Sequence, residues 1–284
     1  KQGSRLSLAD LQKVQWPERV EPIERGKWPN RIGYYPIEGQ ELPRLTNIIG
    51  TALGTGKEPL IKWNVDLERE SIFDAAAELF RTGFSGTGVQ FAEKLKAGLG
   101  EARAGRKKME SAGAIGTEVH KWVEWRLRCS LGLARSSEPP PLSTPEANSC
   151  AAQWHAWWLD AGLVPVRMEQ MVWCPVTGFA GTADLLAWDR DNRYGGGLGV
   201  VDLKTSNYTL DAHHLQVRGY VHATNRVFPC RWGILVKVPK SKDKQFQVTP
   251  LGKLWDRTLD MDELWDILKG QITTFNGLVK PRNA

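Results

Sequence analysis

The stretch from Gly178 to Tyr220 constrains this chain more than any other part, because it places charged side chains in segments typical of buried β-structure. The segment V-V-D-L-K at 200–204 has the β-branched enrichment of a buried strand. Side chains alternate along a strand, so Asp202 and Lys204 are predicted to share one face. An unpaired buried charge is very costly, so both groups need a partner. A cation held by Asp202 and a second acid would satisfy them.

The second acid is predicted on the preceding strand. The segment 182–188 (T-A-D-L-L-A-W) is typical of a strand, and the glycines at 195–197 favour a turn before 200–204. Neighbouring strands would bring Asp184 close to Asp202, and paired carboxylates are hard ligands of the kind that hold Mg²⁺ or Mn²⁺. Lys204 would then orient or deprotonate the attacking water, or stabilise charge on a phosphate. A surface hairpin with a salt bridge to Asp202 is the alternative that these residues alone leave open.

Four short motifs, each weak by itself, occur in one order at compatible spacings. They are G-T-x-x-H (Gly116, Thr117, His120), G-x-x-D (Gly181, Asp184), D-x-K-T (Asp202, Lys204, Thr205) and Q-x-x-x-Y (Gln216, Tyr220). Together they resemble the PD-(D/E)xK nuclease superfamily, in its RecB-like exonuclease branch and the family of mitochondrial genome maintenance exonucleases with their bacterial and phage relatives. The resemblance covers 116–220 well and 42–49 more loosely.

The resemblance implies a set of metal ligands. The aspartates of the second and third motifs hold the metal in that superfamily, which assigns Asp184 and Asp202 to this role. The histidine of the helix before the sheet often joins them, which points to His120. The backbone carbonyl of Leu203 completes the implied set, and Mg²⁺ or Mn²⁺ is the implied cofactor.

The resemblance also implies the remaining site residues. Lys204 occupies the place of the catalytic lysine. Gln216 and Tyr220 are four residues apart on one helical face and are expected to support the site from the next helix. For two further acids, a role at the site is left open. Glu169 lies where relatives often carry an acid, and Glu124 shares a helical face with His120.

The implied fold is α/β, a restriction-endonuclease-like core whose central mixed sheet is flanked by helices, with an N-terminal helical extension. We expect 1–41 to be an arm that is mostly loop, since prolines punctuate it. Residues 42–112 are predicted as a helical extension or cap, with a strand-like segment at 45–49 and helical periodicity over 66–99. Residues 113–284 are predicted as the nuclease core.

Composition limits the classes of protein to consider. The net charge of +6 and the pI near 9.1 suit a polyanion as the partner and argue weakly against an acidic protein as the partner. No apolar run approaches the ~18 residues of a membrane span, so no membrane partner is expected. The four cysteines form no C-x-x-C pair, which favours a reducing intracellular compartment. They also lack the clustered spacing with which some RecB-like relatives hold an iron–sulfur cluster, so no cluster is expected.

Other features have a structural interpretation beside a functional one. The glycine-rich segment 50–57 fails the spacing of a phosphate-binding loop. The basic cluster at 103–108 is either a solvated helix face or a contact to a phosphate backbone. Tryptophans at 154, 157 and 158 have helical spacing and are predicted to pack, although exposed aromatics can stack on bases. The lysines at 237, 240, 242 and 244 could grip DNA or solubilise an edge hairpin.

The expected function is metal-dependent hydrolysis of DNA phosphodiesters, exonucleolytic and at single-stranded ends, in replication, repair or recombination. An endonuclease of the same fold, a nuclease that acts on RNA, and an inactive nucleic-acid-binding module are the alternatives. Fold alone does not separate them, because one fold supports many functions.

Overall fold

A computed structural model of the protein describes residues 7–25, 32–52, 57–99, 104–241, 243–254 and 257–278. Within these ranges only the backbone is described for 51–52, 57–64, 67, 104–110, 253–254, 257 and 278. The chain forms two compact units, one made of 1–53 with 116–284 and the other of 54–115. The domain boundaries predicted from the sequence, after residues 41 and 112, stay a prediction.

Helices and strands alternate along most of the described chain. The helices are α1 (Leu8–Lys13), α2 (Leu45–Ala52), α3 (Lys57–Arg81), α4 (Gly88–Leu99), α5 (Ala104–Ser130), α6 (Pro145–Asp160), α7 (Asp211–Asn225) and α8 (Met261–Leu278). The strands are β1 (Ile23–Arg25), β2 (Ile32–Ile37), β3 (Gln40–Pro43), β4 (Leu163–Cys174), β5 (Phe179–Asp189), β6 (Gly197–Lys204), β7 (Cys230–Lys237), β8 (Gln247–Pro250), β9 (Lys253–Leu254) and β10 (Arg257–Thr258). The predicted α/β class is confirmed at this level.

A five-stranded mixed sheet lies at the centre of the larger unit, in the order β4-β5-β6-β7-β8. All neighbours are antiparallel except β6 and β7, which are parallel. Parallel neighbours need a long crossover connection, and α7 provides it between these two strands. The strand at 200–204 therefore becomes β6, a central strand, which agrees with its apolar and β-branched composition.

Helices cover the two faces of this sheet. Leu215 of α7, Leu264 of α8 and Leu45 of α2 belong to one buried core cluster. From residue 116 onward, α5 contributes His120 and Leu127, and α6 contributes Trp154, to a cavity whose other walls are residues of β4, β5 and β6. His120, Glu169 and Asp184 thus line a cavity between the sheet and the α5–α6 layer.

The segment predicted as a strand at 45–49 is helical, so that prediction is wrong. Leu45, Ile48 and Ile49 are all buried, and their spacing of three and four residues is that of one helical face. A short apolar run does not distinguish a strand from a buried helix by periodicity alone. Here packing in the common core with α7 and α8 decides the conformation.

The first 41 residues contain more regular structure than the prolines suggest. α1 begins at a capping box between Ser7 and Asp10, and β1, β2 and β3 form an antiparallel sheet. The segment between α1 and β1 packs along β4. The Trp16 ring lies 4.6 Å from that of Phe228, and Gln170 donates to the carbonyl of Pro17. These contacts depend on distant parts of the chain and leave no periodic signal in the segment itself.

Further predictions concern the helices, the tryptophans, the glycine-rich segment and the basic residues. The helical periodicity predicted over 66–99 is confirmed as α3 and α4. Trp154 is buried, and Trp157 and Trp158 are half-buried against it and each other. Residues 53–56 of the glycine-rich segment, Arg103, Lys242 and the side chains of Arg106, Lys107 and Lys108 lie outside the described residues.

Two observations concern the setting of the protein. No helix in the described part of the chain is both long and apolar enough to cross a membrane. All four cysteines carry free thiols, three of them buried and Cys129 half-buried.

Candidate metal centre

Three carboxylates lie in one row across neighbouring strands of the central sheet. The register on both sides of Glu169 in β4 brings it opposite Asp184 in β5. The last pair of β5 with β6, Leu185 with Val201, is followed by Asp184 and Asp202 at the next opposing positions. The ladder is not continued there, so the strands separate where these acids occur.

The backbone at Glu169 is unusual. Its φ is +49°, in the left-handed region that side-chain-bearing residues rarely adopt, in the middle of a twelve-residue strand. Such strain costs on the order of 1–3 kcal/mol and persists only where the surrounding structure imposes it, most often at functional sites. The strain therefore marks Glu169 independently of its charge.

His120, Glu169 and Asp184 form a cluster suited to a cation. Each offers one ligand atom, and these atoms all lie within 4.8 Å of one another. His120 Nδ1 is 3.7 Å from Asp184 Oδ1, and both side chains are partly exposed. Two carboxylates and an imidazole suit Mn²⁺, Mg²⁺ or Zn²⁺ in chemical type, and the set leaves positions for further ligands. Among the described residues, this set joins two acids from adjacent strands to a histidine from α5.

The glycine of the G-T-x-x-H motif explains how α5 comes this close. A Cβ at Gly116 would lie 2.9 Å from Thr205 Oγ1, at the end of β6. Thr205 is the threonine of D-x-K-T and is itself buried. The absence of a side chain at 116 therefore allows α5 to pass directly over the end of the strand and to present His120 one turn later.

Asp202 and Lys204 form a buried ion pair. Lys204 Nζ lies 2.6 Å from Asp202 Oδ2, and the Asp202 side chain is 0% exposed. The two residues share one face of β6, as strand alternation predicted. Burial raises the pKa of Asp202, and the Lys204 ammonium partly offsets this. Burial opposes the charge of Lys204 as well, but the carboxylates of Asp202 and Asp184 raise its pKa above the usual value.

Gln216 and Tyr220 extend this pair from α7. Gln216 Nε2 donates to Asp202 Oδ1 at 3.3 Å and to the Tyr220 hydroxyl at 3.2 Å. Tyr220 is buried, and burial together with the charge of Asp202 raises the pKa of its phenol. A Cβ at Gly181 would lie 2.6 Å from the Tyr220 ring, so the glycine of G-x-x-D makes room for the tyrosine.

The structure groups the predicted site residues in two adjoining sets. Asp184 joins His120 and Glu169, whereas Asp202 faces Lys204 and Gln216 and is not part of the described metal-type cluster. The Leu203 N–H donates to Asp184 Oδ2 at 2.8 Å and links the sets. The Leu203 carbonyl as a ligand stays a prediction, as do the metal-binding roles of the other residues.

Two charged residues complete the surroundings of Glu169. Arg19 Nη1 lies 3.7 Å from Glu169 Oε2, and Arg19 is about half exposed. Sequence reasoning missed Arg19, because its segment is bound to β4 by contacts that no local pattern shows. Glu124 lines the same cavity, but its carboxylate is bound by Arg128 at 2.7 Å. The ion pair with Arg128 explains why Glu124 is separate from the cluster.

The cavity between these groups is small. Its volume is about 20 Å³, enough for about one water-sized group, and it is lined by His120, Glu169 and Asp184 together with apolar side chains of α5, α6 and the sheet. Burial and the nearby charge of Asp184 raise the pKa of Glu169 to about 7, while His120 and Arg19 oppose this shift. A cation would favour the ionised form of Glu169.

Comparisons with known proteins do not assign this site. The sequence matches none of the family models and none of the curated proteins with which it was compared. One of the solved structures that match is the crystal structure of SSO0001, which is 16% identical with a TM-score of 0.27. That match covers 57% of this chain and 75% of the other. A score this low carries no argument about the fold or the function.

The raised pKa of Glu169 predicts a pH-dependent loss of stability. The folded protein retains a proton on Glu169 up to about pH 7, whereas the unfolded chain releases it near 4.5, so stability falls as the pH rises from about 4.5 to 7. We expect Glu169→Gln to increase the free energy of unfolding by about 1–3 kcal/mol at pH 8 in EDTA. Near pH 4.5 the variant and the wild type should unfold alike. Thermal unfolding at both pH values measures this, and a variant less stable than wild type at pH 8 would contradict it.

Proposed function

We propose that this chain is a metal-dependent nuclease that hydrolyses DNA phosphodiesters, acts exonucleolytically at single-stranded ends and has a restriction-endonuclease-like core. The observation that carries the proposal is the cluster of His120, Glu169 and Asp184 beside the buried Asp202–Lys204 pair. A structural salt bridge needs only the second of these. A nuclease of this kind needs both, because it must hold a metal cation and must also place the lysine ammonium beside the reacting phosphate.

The residues of the cluster fit a divalent cation by their chemistry. Glu169 and Asp184 bring two carboxyl groups into a partly buried cavity, where Arg19 contacts Glu169 and the His120 ring lies 3.7 Å from Asp184. Burial first, and then the charge of Asp184, raise the pKa of Glu169, so a cation at this position would relieve both costs of ionising it. When bound, the cation would supply a Lewis acid for phosphate oxygens and would lower the pKa of a water molecule.

The other side chains of the proposed site hold Lys204 in place and orient its ammonium group. Asp202 fixes the Lys204 ammonium, and Gln216 fixes the second oxygen of Asp202. Lys204 is held in its charged form by the carboxylates near it, so its ammonium can stabilise negative charge on a phosphate or orient the attacking water. Tyr220 keeps its proton because its pKa is raised, and it anchors Gln216. The proposed roles thus form a chain from α7 to β6.

A set of DNA and RNA substrates tests the proposal. End-labelled linear single-stranded DNA, a closed single-stranded circle of the same sequence and the matching RNA would each be incubated with Mn²⁺ or Mg²⁺, and with EDTA. We expect the linear DNA alone to be degraded, from an end, and EDTA to stop the reaction. Cutting of the circle would identify an endonuclease, and preference for the RNA would change the substrate. Binding without any cutting, in either metal, would reject the nuclease in favour of an inactive binding module.

A further inference from the structure

Two loops leave the same end of the central sheet beside Lys204. One is 205–210, which joins β6 to α7, and the other is 238–246, which joins β7 to β8. Lys204 and Lys237 are neighbours in the parallel ladder, and the Val238 N–H donates to the carbonyl of Lys204 at 2.8 Å. Both loops therefore begin within one residue of the proposed catalytic lysine or its ladder neighbour.

One hydrogen bond joins the two loops, and others lie within each loop. Asn207 Oδ1 accepts from the Ser241 N–H at 3.3 Å, which joins the two loops directly. Ser206 Oγ donates to the carbonyl of Tyr208 at 2.6 Å, and the Lys244 N–H donates to the carbonyl of Ser241. These hydrogen bonds therefore restrain the backbone of the described residues that form this surface.

Tyr208 lies on this surface with most of its side chain exposed. The residue is 67% exposed. Lys244 Nζ lies 5.4 Å from the ring centroid, within the range of a cation–π contact. Lys244 is also 3.7 Å from Asp243 Oδ2, an exposed pair of the kind that contributes little. The Lys244 ammonium thus lies over the ring of a residue that is otherwise largely exposed.

We propose that Tyr208, Lys244 and Lys237 form a contact surface for single-stranded DNA, on which the base next to the scissile phosphate stacks on Tyr208 and its phosphate binds the lysines. The inference rests on the proposed function, because it takes Lys204 as the place of cleavage. Aromatic rings stack on any unpaired base, and lysines follow the backbone charge. A duplex hides the faces of its bases, so the exposed ring favours a single strand.

Binding of a fluorescently labelled oligo(dT) in EDTA tests this surface without cutting or metal. We expect Tyr208→Ala to weaken binding roughly 5- to 150-fold, and Tyr208→Phe to bind like wild type, since stacking needs the ring and not the hydroxyl. Lys244→Gln should weaken binding and reduce by about one the slope of log K against log salt. Lys269→Gln is the matched control, because Lys269 on α8 is likewise exposed and paired to an acid. It should change neither quantity.

Each outcome has one meaning. If Tyr208→Ala and Lys244→Gln bind oligo(dT) like wild type, the surface is rejected. If Tyr208→Ala weakens the binding of a hairpin duplex DNA as much as the binding of oligo(dT), stacking on an unpaired base is rejected. If the wild type binds oligo(dT) through these residues but degrades no substrate with Mn²⁺ or Mg²⁺, the surface stands and the proposed nuclease fails. Thermal unfolding of each variant, expected to match wild type because both side chains are on the surface, checks that the protein is intact.

Discussion

Asp184→Asn is expected to remove divalent cation binding and to reduce DNA cleavage on the order of 10³-fold, because a metal ion contributes several kcal/mol to stabilising charge in such reactions. Asp184 occupies the middle of the site. It faces Glu169 and His120 in the cluster and accepts the Leu203 N–H. An asparagine oxygen can still accept that N–H, but it brings no negative charge for the cation. Isothermal titration with Mn²⁺ measures the binding, and end-labelled single-stranded DNA measures the cleavage.

The same substitution should leave the fold intact or stabilise it. It removes repulsion between Asp184 and the neighbouring carboxylates, which contributes to the raised pKa values of Glu169 and Asp202. Glu124→Gln is the matched control, since Glu124 lines the same cavity and has Arg128 as its partner. We expect that control to bind Mn²⁺ and cut DNA within a few-fold of wild type. Equal Mn²⁺ affinity in Asp184→Asn and wild type would show that the cluster is not the metal site.

Lys204→Met is expected to reduce cleavage on the order of 10²–10³-fold, the effect of removing one preorganised charge-stabilising donor. This variant should separate the chemical step of cleavage from the binding of the metal. Lys204 contacts Asp202 and is not a member of the cluster of His120, Glu169 and Asp184, so Mn²⁺ affinity should change little. Single-turnover cleavage with saturating enzyme measures the chemical step, and titration with Mn²⁺ measures the metal.

The loss of Lys204 also removes the partner of a carboxylate that is fully buried. Breaking a buried pair by removing one member costs about 3–5 kcal/mol, so reduced stability has to be separated from reduced chemistry. The double variant Asp202→Asn/Lys204→Met removes both charges and should recover most of the unfolding free energy while remaining inactive. Cleavage at the wild-type rate by either variant would remove the catalytic role of Lys204.

Local periodicity was sufficient to predict the parts of the site that lie within one element. Strand alternation placed Asp202 and Lys204 on one face, and the structure has them 2.6 Å apart. The four-residue spacing placed Gln216 and Tyr220 on one helical face, and they are hydrogen-bonded. Such predictions succeed because the repeat of a strand or a helix is a property of the backbone itself.

The relations between elements could not be obtained in this way. Whether Asp202 or Glu169 joins the cluster with Asp184 depends on where β5 and β6 separate, and on the left-handed backbone at Glu169. Arg19 reaches Glu169 only because the segment around Trp16 packs along β4 and against Phe228. The helix at 45–52 follows from packing in the shared core, where the same apolar pattern would also have suited a strand.

The amino-acid sequence by itself thus determined which residues carry charge within buried segments and which of them share a face. Tertiary structure decided which of those charged groups meet, how deeply each is buried and which basic side chains pair with the carboxylates. The physical reason is that side-chain direction along a strand or helix is set by local backbone geometry, whereas electrostatic energy depends on distances and burial that only the packing of remote segments establishes.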